Sequence, residues 1–224
     1  GSLSFILNGE RTAPVSAHGY INDNLHRLSE FVADFAAAGI NMNALGMPAS
    51  FWKGEGGYDW SEMTSRFDAC LKANPESRIM VTIGTDAPAW FRDNYPEELE
   101  EYYADWRHPE AGKKRWTGYG GPMGSDKYLQ VMCRMLHDVV THIEQSKYAN
   151  YVYGYHFSGG DAGEWYWPGQ FAGNNTATGY SNPTRDAFRN YLRQSYRGDV
   201  SGLRRAWGDP AVTFETAEIP EPKE

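Results

Sequence analysis

From Asn24 onward, apolar side chains at Leu25, Leu28, Val32 and Phe35 recur every three or four residues until Gly39. That spacing buries one face of a helix, and glycine commonly ends one. Ile40 to Gly46 then reads as a strand. A second helical period runs through Met63, Phe67, Cys70 and Leu71, with Asp59 and Glu62 spaced as a capping box. Arg78 to Gly84 is nearly continuous in apolar residues, the pattern of a strand covered on both faces. A third helix from about Ser125 sets Leu129, Cys133, Leu136, Val140 and Ile143 on one stripe, and Tyr151 to Phe157 reads as the next strand. Pro183 opens a helix carrying Phe188, Tyr191 and Leu192, and a shorter one from Asp199 stops at Gly208. Ahead of these, Leu3 to Thr12 reads as two short strands around Asn8-Gly9, a hairpin signature, and Pro14 to Tyr20 supplies a first core strand.

Strands alternating with helices predict an α/β fold with a parallel sheet built from crossovers. Two architectures fit: a doubly wound open sheet, or part of a TIM (β/α)8 barrel. The connections that follow strands are the long ones, Thr85 to Gly124 and Ser158 to Asn182. A barrel builds its active site on that side, although open sheets bind ligands there too. Only residues 199–224 follow the Pro183 helix, too few for four more βα units, so the expectation is the first half of a barrel, about four strands. The expected domains are an N-terminal hairpin over 1–13, the half-barrel over 14–218 and a disordered Pro-rich tail over 219–224.

Composition narrows the function. Across 224 residues, 21 Lys and Arg face 29 Asp and Glu, a net charge of −8, with no basic run. Nucleic acid and anionic membranes both require a basic footprint and are set aside as partners. No segment approaches the ~18 apolar residues of a membrane span. Cys70 and Cys133 fall on helical stripes and read as buried thiols, and localisation stays open. The unusual quantity is aromatic: 8 Trp, 15 Tyr and 10 Phe, with many of the rings in the two long connections.

The segment Tyr153 to Trp167 holds Asp161 and Glu164 among large rings, with His156 on the preceding strand. A carboxyl group beside apolar rings loses hydration, which raises its pKa toward the range where it donates a proton at neutral pH. Tryptophan faces suit sugar rings, and carboxylates and imidazoles bond their hydroxyls. Glu164 is therefore the catalytic candidate, and His156, Asp161, Trp165 and Trp167 are candidates for substrate binding. Each also has a plainer reading, as loop carboxylate, strand histidine or sheet cover. Pro88 forces the chain out of the preceding strand and can present Asp86 and Trp90 at the rim, where Trp90 equally serves as a plug. Trp52, beside Glu55 in a Gly-rich stretch, completes the set. That stretch lacks the Gly-Lys-Ser/Thr ending of a phosphate loop. His137 and His142 are wrongly spaced for zinc, so neither metal nor other cofactor is expected. Glu97 to Glu101 reads as a solvated face, and Asn174-Asn-Thr176 as a formal glycosylation sequon.

Several of these segments together resemble the clan A glycoside hydrolases, nearest to the family 42 β-galactosidases. They are Asn8 to Val15, Ala38-Gly-Ile-Asn-Met-Asn, Tyr58-Asp-Trp-Ser, Ala87-Pro-Ala-Trp-Phe with Tyr95-Pro-Glu, Tyr153-Gly-Tyr-His, Phe188-Arg-Asn-Tyr-Leu-Arg and Leu203-Arg-Arg-Ala-Trp-Gly. The resemblance implies a (β/α)8 fold and a retaining mechanism, with an acid/base after the fourth strand and a nucleophile after the seventh, roughly 5 to 5.5 Å apart. This chain departs from the pattern twice. The Asn-Glu pair ending the fourth strand is replaced by Gly159-Gly160, with the first Glu at Glu164, and no seventh strand is read. The expectation is a glycosidase-like half-barrel, inactive alone, that binds carbohydrate and pairs with a second copy or the missing half. A non-catalytic sugar-binding domain and a doubly wound domain with another ligand are the alternatives.

Overall fold

A computed structural model describes residues 4–7, 9–18, 24–102, 116–117, 123–160, 164–166 and 179–220. Strands β1 (Phe5–Leu7) and β2 (Glu10–Thr12) form the antiparallel hairpin expected around Asn8-Gly9, with Gly9 in the left-handed region at φ 86°. The first core strand, β3 (Ser16–Ala17), is shorter than its hydrophobic run. Helix α1 (Leu25–Ala37) starts where predicted because Asn24 Oδ1 accepts the N–H groups of His26 and Arg27, and Gly39 ends it at φ 81°. There follow β4 (Met42–Met47), a hairpin of β5 (Trp52–Gly54) and β6 (Gly57–Tyr58), α2 (Ser61–Ala73), β7 (Arg78–Gly84) and α3 (Ala89–Asn94). A two-stranded ribbon pairs β8 (Glu101–Tyr102) with β9 (Trp116–Thr117). Then come α4 (Asp126–Glu144), β10 (Val152–Gly160), β11 (Glu164–Tyr166), α5 (Asn182–Ser195) and α6 (Val200–Trp207).

These elements divide into two units, Gly1–Thr85 with Arg134–Ser158, and Asp86–Cys133 with Gly159–Glu224. In the first unit β3, β4, β7 and β10 lie side by side in chain order, all parallel. A doubly wound sheet reverses its strand order at a switch point. Successive parallel neighbours joined by helices are instead the arrangement of a barrel sector, so the fold is α/β of the TIM-barrel type. The apolar run of β7 alternates: Ile79, Val81 and Ile83 are fully buried while Met80 and Thr82 are half-buried, so one face is closed and the other only partly covered. The strand with near-continuous burial is β4.

Three further expectations are corrected. The capping box at α2 does not form, because Glu62 turns to Arg66 (3.0 Å) and Ser50 (2.9 Å), while Asp59 accepts from the Ser61 N–H and hydroxyl. On α4 the buried stripe is Tyr128, Met132, Met135, Val139 and Ile143, rotated from the predicted one. Cys133 is consequently exposed, and only Cys70 is a buried thiol, its pKa pushed up by burial.

The second unit has its own core of Leu192, Leu203, Val212, Phe214 and Ala217. Arginines spaced four apart along α5 strap the following segment down: Arg185 and Arg189 pair with Glu218 at 2.7 Å, Arg193 with Glu215 at 3.0 Å, and Arg189 Nε also donates to the Ala217 carbonyl. Residues 221–224 of the expected tail lie outside the described residues, as does the sequon. Glu100, expected on a solvated face, is 5 % exposed. Its carboxylate accepts from the N–H groups of Glu101 and Ser181 and from the Thr184 hydroxyl, which satisfies it at the start of α5. Gly124 runs so close to α5 that any Cβ would fall 2.4 Å from the Thr184 Cα.

Candidate functional site at the strand ends

At the C-terminal end of β7 the chain must leave the sheet, because Pro88 has no N–H to continue a ladder. Before it leaves, Thr85 makes one last rung: its N–H and its hydroxyl both donate to the Ser158 carbonyl, at 2.7 and 2.9 Å. In the second unit, Asp86 Oδ1 accepts the Gly160 N–H at 3.0 Å. Helix α3 then starts directly after Pro88, and Arg92 donates to the Ala87 carbonyl at 2.8 Å to close the turn.

The residue that plugs this turn is Phe91, fully buried and edge-on to Tyr128 at 5.3 Å, with Tyr95 at 5.1 Å. Its neighbour Trp90 stays half-buried, edge-on to Phe91 at 5.7 Å. Tyr128 is fully buried, and burial first and the Asp86 carboxylate second push its phenol far above the ordinary tyrosine range. The hydroxyl therefore stays neutral across physiological pH.

Past Gly160 the backbone does something the linear reading did not foresee. Gly160 takes φ 75°, the register slips between Gly159 and Gly160, and β11 lies parallel beside β10 with Glu164 opposite Gly159 and Tyr166 opposite Gly160. Five residues of chain thus bring Glu164 back to the tip of the strand it left. The next residue, Trp165, is 41 % exposed and holds φ 61°, a left-handed conformation that a bulky side chain adopts only under constraint.

The candidates therefore distribute as follows. Asp86 is exposed and joined to Gly160, and Glu164 and Trp165 return to that strand end. The side chain of Glu164, and the whole of Asp161 and Trp167, lie outside the described residues. His156 is exposed on β10, opposite Thr82. Trp52 is 5 % exposed at the base of the β5–β6 hairpin and presents no open ring face. His142, set aside as a metal ligand, stacks on Trp60 at 4.2 Å, and among the described residues no group of three or more His, Cys, Asp or Glu forms a metal cluster. No helix is long and apolar enough to cross a membrane among the described residues. A cleft of about 600 Å³ in the second unit opens elsewhere, between the starts of α4 and α5, lined by Glu98, Asp126, Asn182, Asp186 and Tyr191 among others. Sequence reasoning missed that cleft, Glu100 and Tyr128. Only Tyr128 carried a signal, as an aromatic residue three positions after the helix-opening Ser125, whose hydroxyl accepts the Tyr128 N–H at 2.9 Å.

Comparison with known proteins follows the same outline. The catalytic domain of a β-amylase from Paenibacillus polymyxa superposes with a TM-score of 0.65 at 14 % identity, over 92 % of this chain and 52 % of that one. A β-galactosidase from the psychrophilic Marinomonas ef1 gives 0.63 at 19 %, over 93 % and 30 %. A catalytic mutant of a GH42 β-galactosidase from G. stearothermophilus gives 0.56 at 19 %, over 88 % and 25 %. The chain thus spans about half of the amylase domain and under a third of these galactosidases, and at such identities the likeness speaks for the fold. No curated protein matches the chain. The family model for glycoside hydrolase family 42, β-galactosidase, matches residues 24–223, nearly the whole chain, and on that match the chain belongs to this family.

Proposed function

We propose that this domain forms the sugar-gripping strand ends of a retaining β-galactosidase-type glycosidase, with Glu164 as its acid/base and Trp165 as the ring platform. The observation that carries the reading is the return of Glu164 to the tip of β10, opposite the glycine that stands where the family resemblance leads one to expect an Asn-Glu pair. An exposed indole held in a left-handed backbone beside it supports the platform role. In such a mechanism the glutamic acid hands its proton to the departing glycosidic oxygen as a second carboxylate attacks the anomeric carbon. It then takes a proton from the water that releases the sugar. In this reading the attacking carboxylate belongs to a seventh barrel strand, which is not among the described strands of this sheet, and the chain's own part is to bind the sugar and hold the acid/base.

Titration of the chain with methyl β-galactoside, followed by tryptophan fluorescence, tests the binding. The expected result is saturable quenching with a Kd of about 1 mM, typical of a single sugar ring and equivalent to about 4 kcal/mol, weakened at least about tenfold in Trp165→Ala. Glu164→Gln is expected to abolish turnover in the form of the protein that carries the second carboxylate. No binding, or Trp165→Ala binding unchanged, refutes the site. Binding with turnover untouched by Glu164→Gln removes Glu164 from the chemistry, and robust hydrolysis by a verified monomer of this chain refutes inactivity.

A further inference from the structure

We propose that Asp86 is a positioning residue: by holding the Gly160 N–H it fixes the bulge that returns Glu164 to the end of β10, and it does not itself grip the sugar. The inference rests on the role given to Glu164 above.

The backbone ladder between β7 and β10 ends with Gly84 opposite Ser158. Beyond it the β7 chain turns away through Ala87 and Pro88, and the Gly160 N–H takes a side-chain acceptor. The Asp86 carboxylate is that acceptor, doing for Gly160 what a peptide carbonyl does in a ladder. Its ionised oxygen makes a stronger bond than a carbonyl would.

The bond sits where it matters. Gly160 is the residue whose positive φ turns the chain, the register slips there, and Trp165 is strained five residues later. Strain of that kind persists only where several contacts over-determine it. Asp86 is exposed, and yet Oδ1 is committed to the backbone rather than left facing an incoming hydroxyl.

The distinguishing experiment pairs Asp86→Asn, which keeps an acceptor oxygen without the charge, with Asp86→Ala, which removes it. Two quantities are read on the 224-residue chain: hydrogen exchange at the Gly160 amide and affinity for methyl β-galactoside. Asp86→Ala is expected to speed exchange about tenfold, the equivalent of one hydrogen bond, and to weaken affinity about as much. Asp86→Asn is expected to stay within about threefold of the parent on both. Unchanged Gly160 exchange in Asp86→Ala overturns the proposal. So does an Asp86→Asn variant that keeps its protection and loses affinity like the alanine, since the charge would then be touching sugar. If the parent chain binds no galactoside, the reading of Glu164 falls, while Gly160 exchange still decides whether the clamp exists.

Discussion

Replacing Gly124 with alanine would place a methyl carbon 2.4 Å from the Thr184 Cα, 2.6 Å from its Oγ1 and 2.8 Å from its nitrogen. Ordinary carbon contacts begin at about 3.5 Å, so one side must retreat by roughly 1 Å. Thr184 is poorly placed to do so. Its N–H bonds the Ser181 hydroxyl and its own hydroxyl donates to the buried Glu100, in the first turn of α5. The alternative is to displace Ser125, which donates to Glu98 and accepts from Tyr128. Overpacking costs about 1 to 3 kcal/mol and a broken hydrogen bond about 1 more, against a gain of roughly 0.4 to 1 from stiffening the unfolded chain. The net expectation is a loss of about 2 to 3 kcal/mol. In urea unfolding followed by tryptophan fluorescence, with a slope of about 2 kcal/mol per molar, the midpoint falls by roughly 1 M at unchanged slope. Gly202→Ala is the matched control. There the nearest atom is the end of the exposed Asp199 side chain at 2.8 Å, and alanine inside α6 gains about 0.5 to 1 kcal/mol in helix propensity. Coincident midpoints for the two variants would refute the close-approach argument.

Two further outcomes follow from burial. Desolvation holds the His142 pKa below the ordinary imidazole value. The unfolded chain then binds the proton more readily, so this contribution to stability is present above about pH 6.5 and is lost as pH falls through the folded value. Thermal melts at pH 7.5 and 5 should show a larger loss for the parent than for His142→Phe, and equal losses count against it. Cys133 is exposed and Cys70 buried, so a thiol reagent at pH 8 should modify Cys133 in the native chain and Cys70 only after unfolding; two fast phases would contradict the burial.

Local rules carried much of the sequence reading. Asn24 and Gly39 bracket α1, Pro183 and Gly208 bracket α5 and α6, and each works through groups within a turn or two of itself. The stripe of α4 was misread because Leu129, Leu136 and Val140 are half-buried as well. The helix is apolar over much of its circumference, and what packs against it decides which arc goes innermost. Glu100 lies in an acidic run, and the long-range donors that satisfy it are Ser181 and Thr184, about eighty residues away. β11 was illegible for a different reason. Parallel neighbours normally need a crossover of a dozen residues or more, and a three-residue strand has no period to detect. Gly159-Gly160 was its one visible trace. At the candidate site the sequence pointed to the ends of β7 and β10, where Asp86 accepts the Gly160 N–H through a bond that no spacing encodes.

The left-handed turn at Gly160 also limits what a substitution there can achieve. An Asn-Glu dipeptide placed at 159 and 160 would set a glutamate at φ 75°, a conformation costing an L-residue about 1 to 2 kcal/mol. The new side chain would also meet a neighbouring strand that already carries Glu164. Two point changes at 159 and 160 are therefore expected to leave a strained glutamate beside the strand that carries Glu164, not a relaxed strand end.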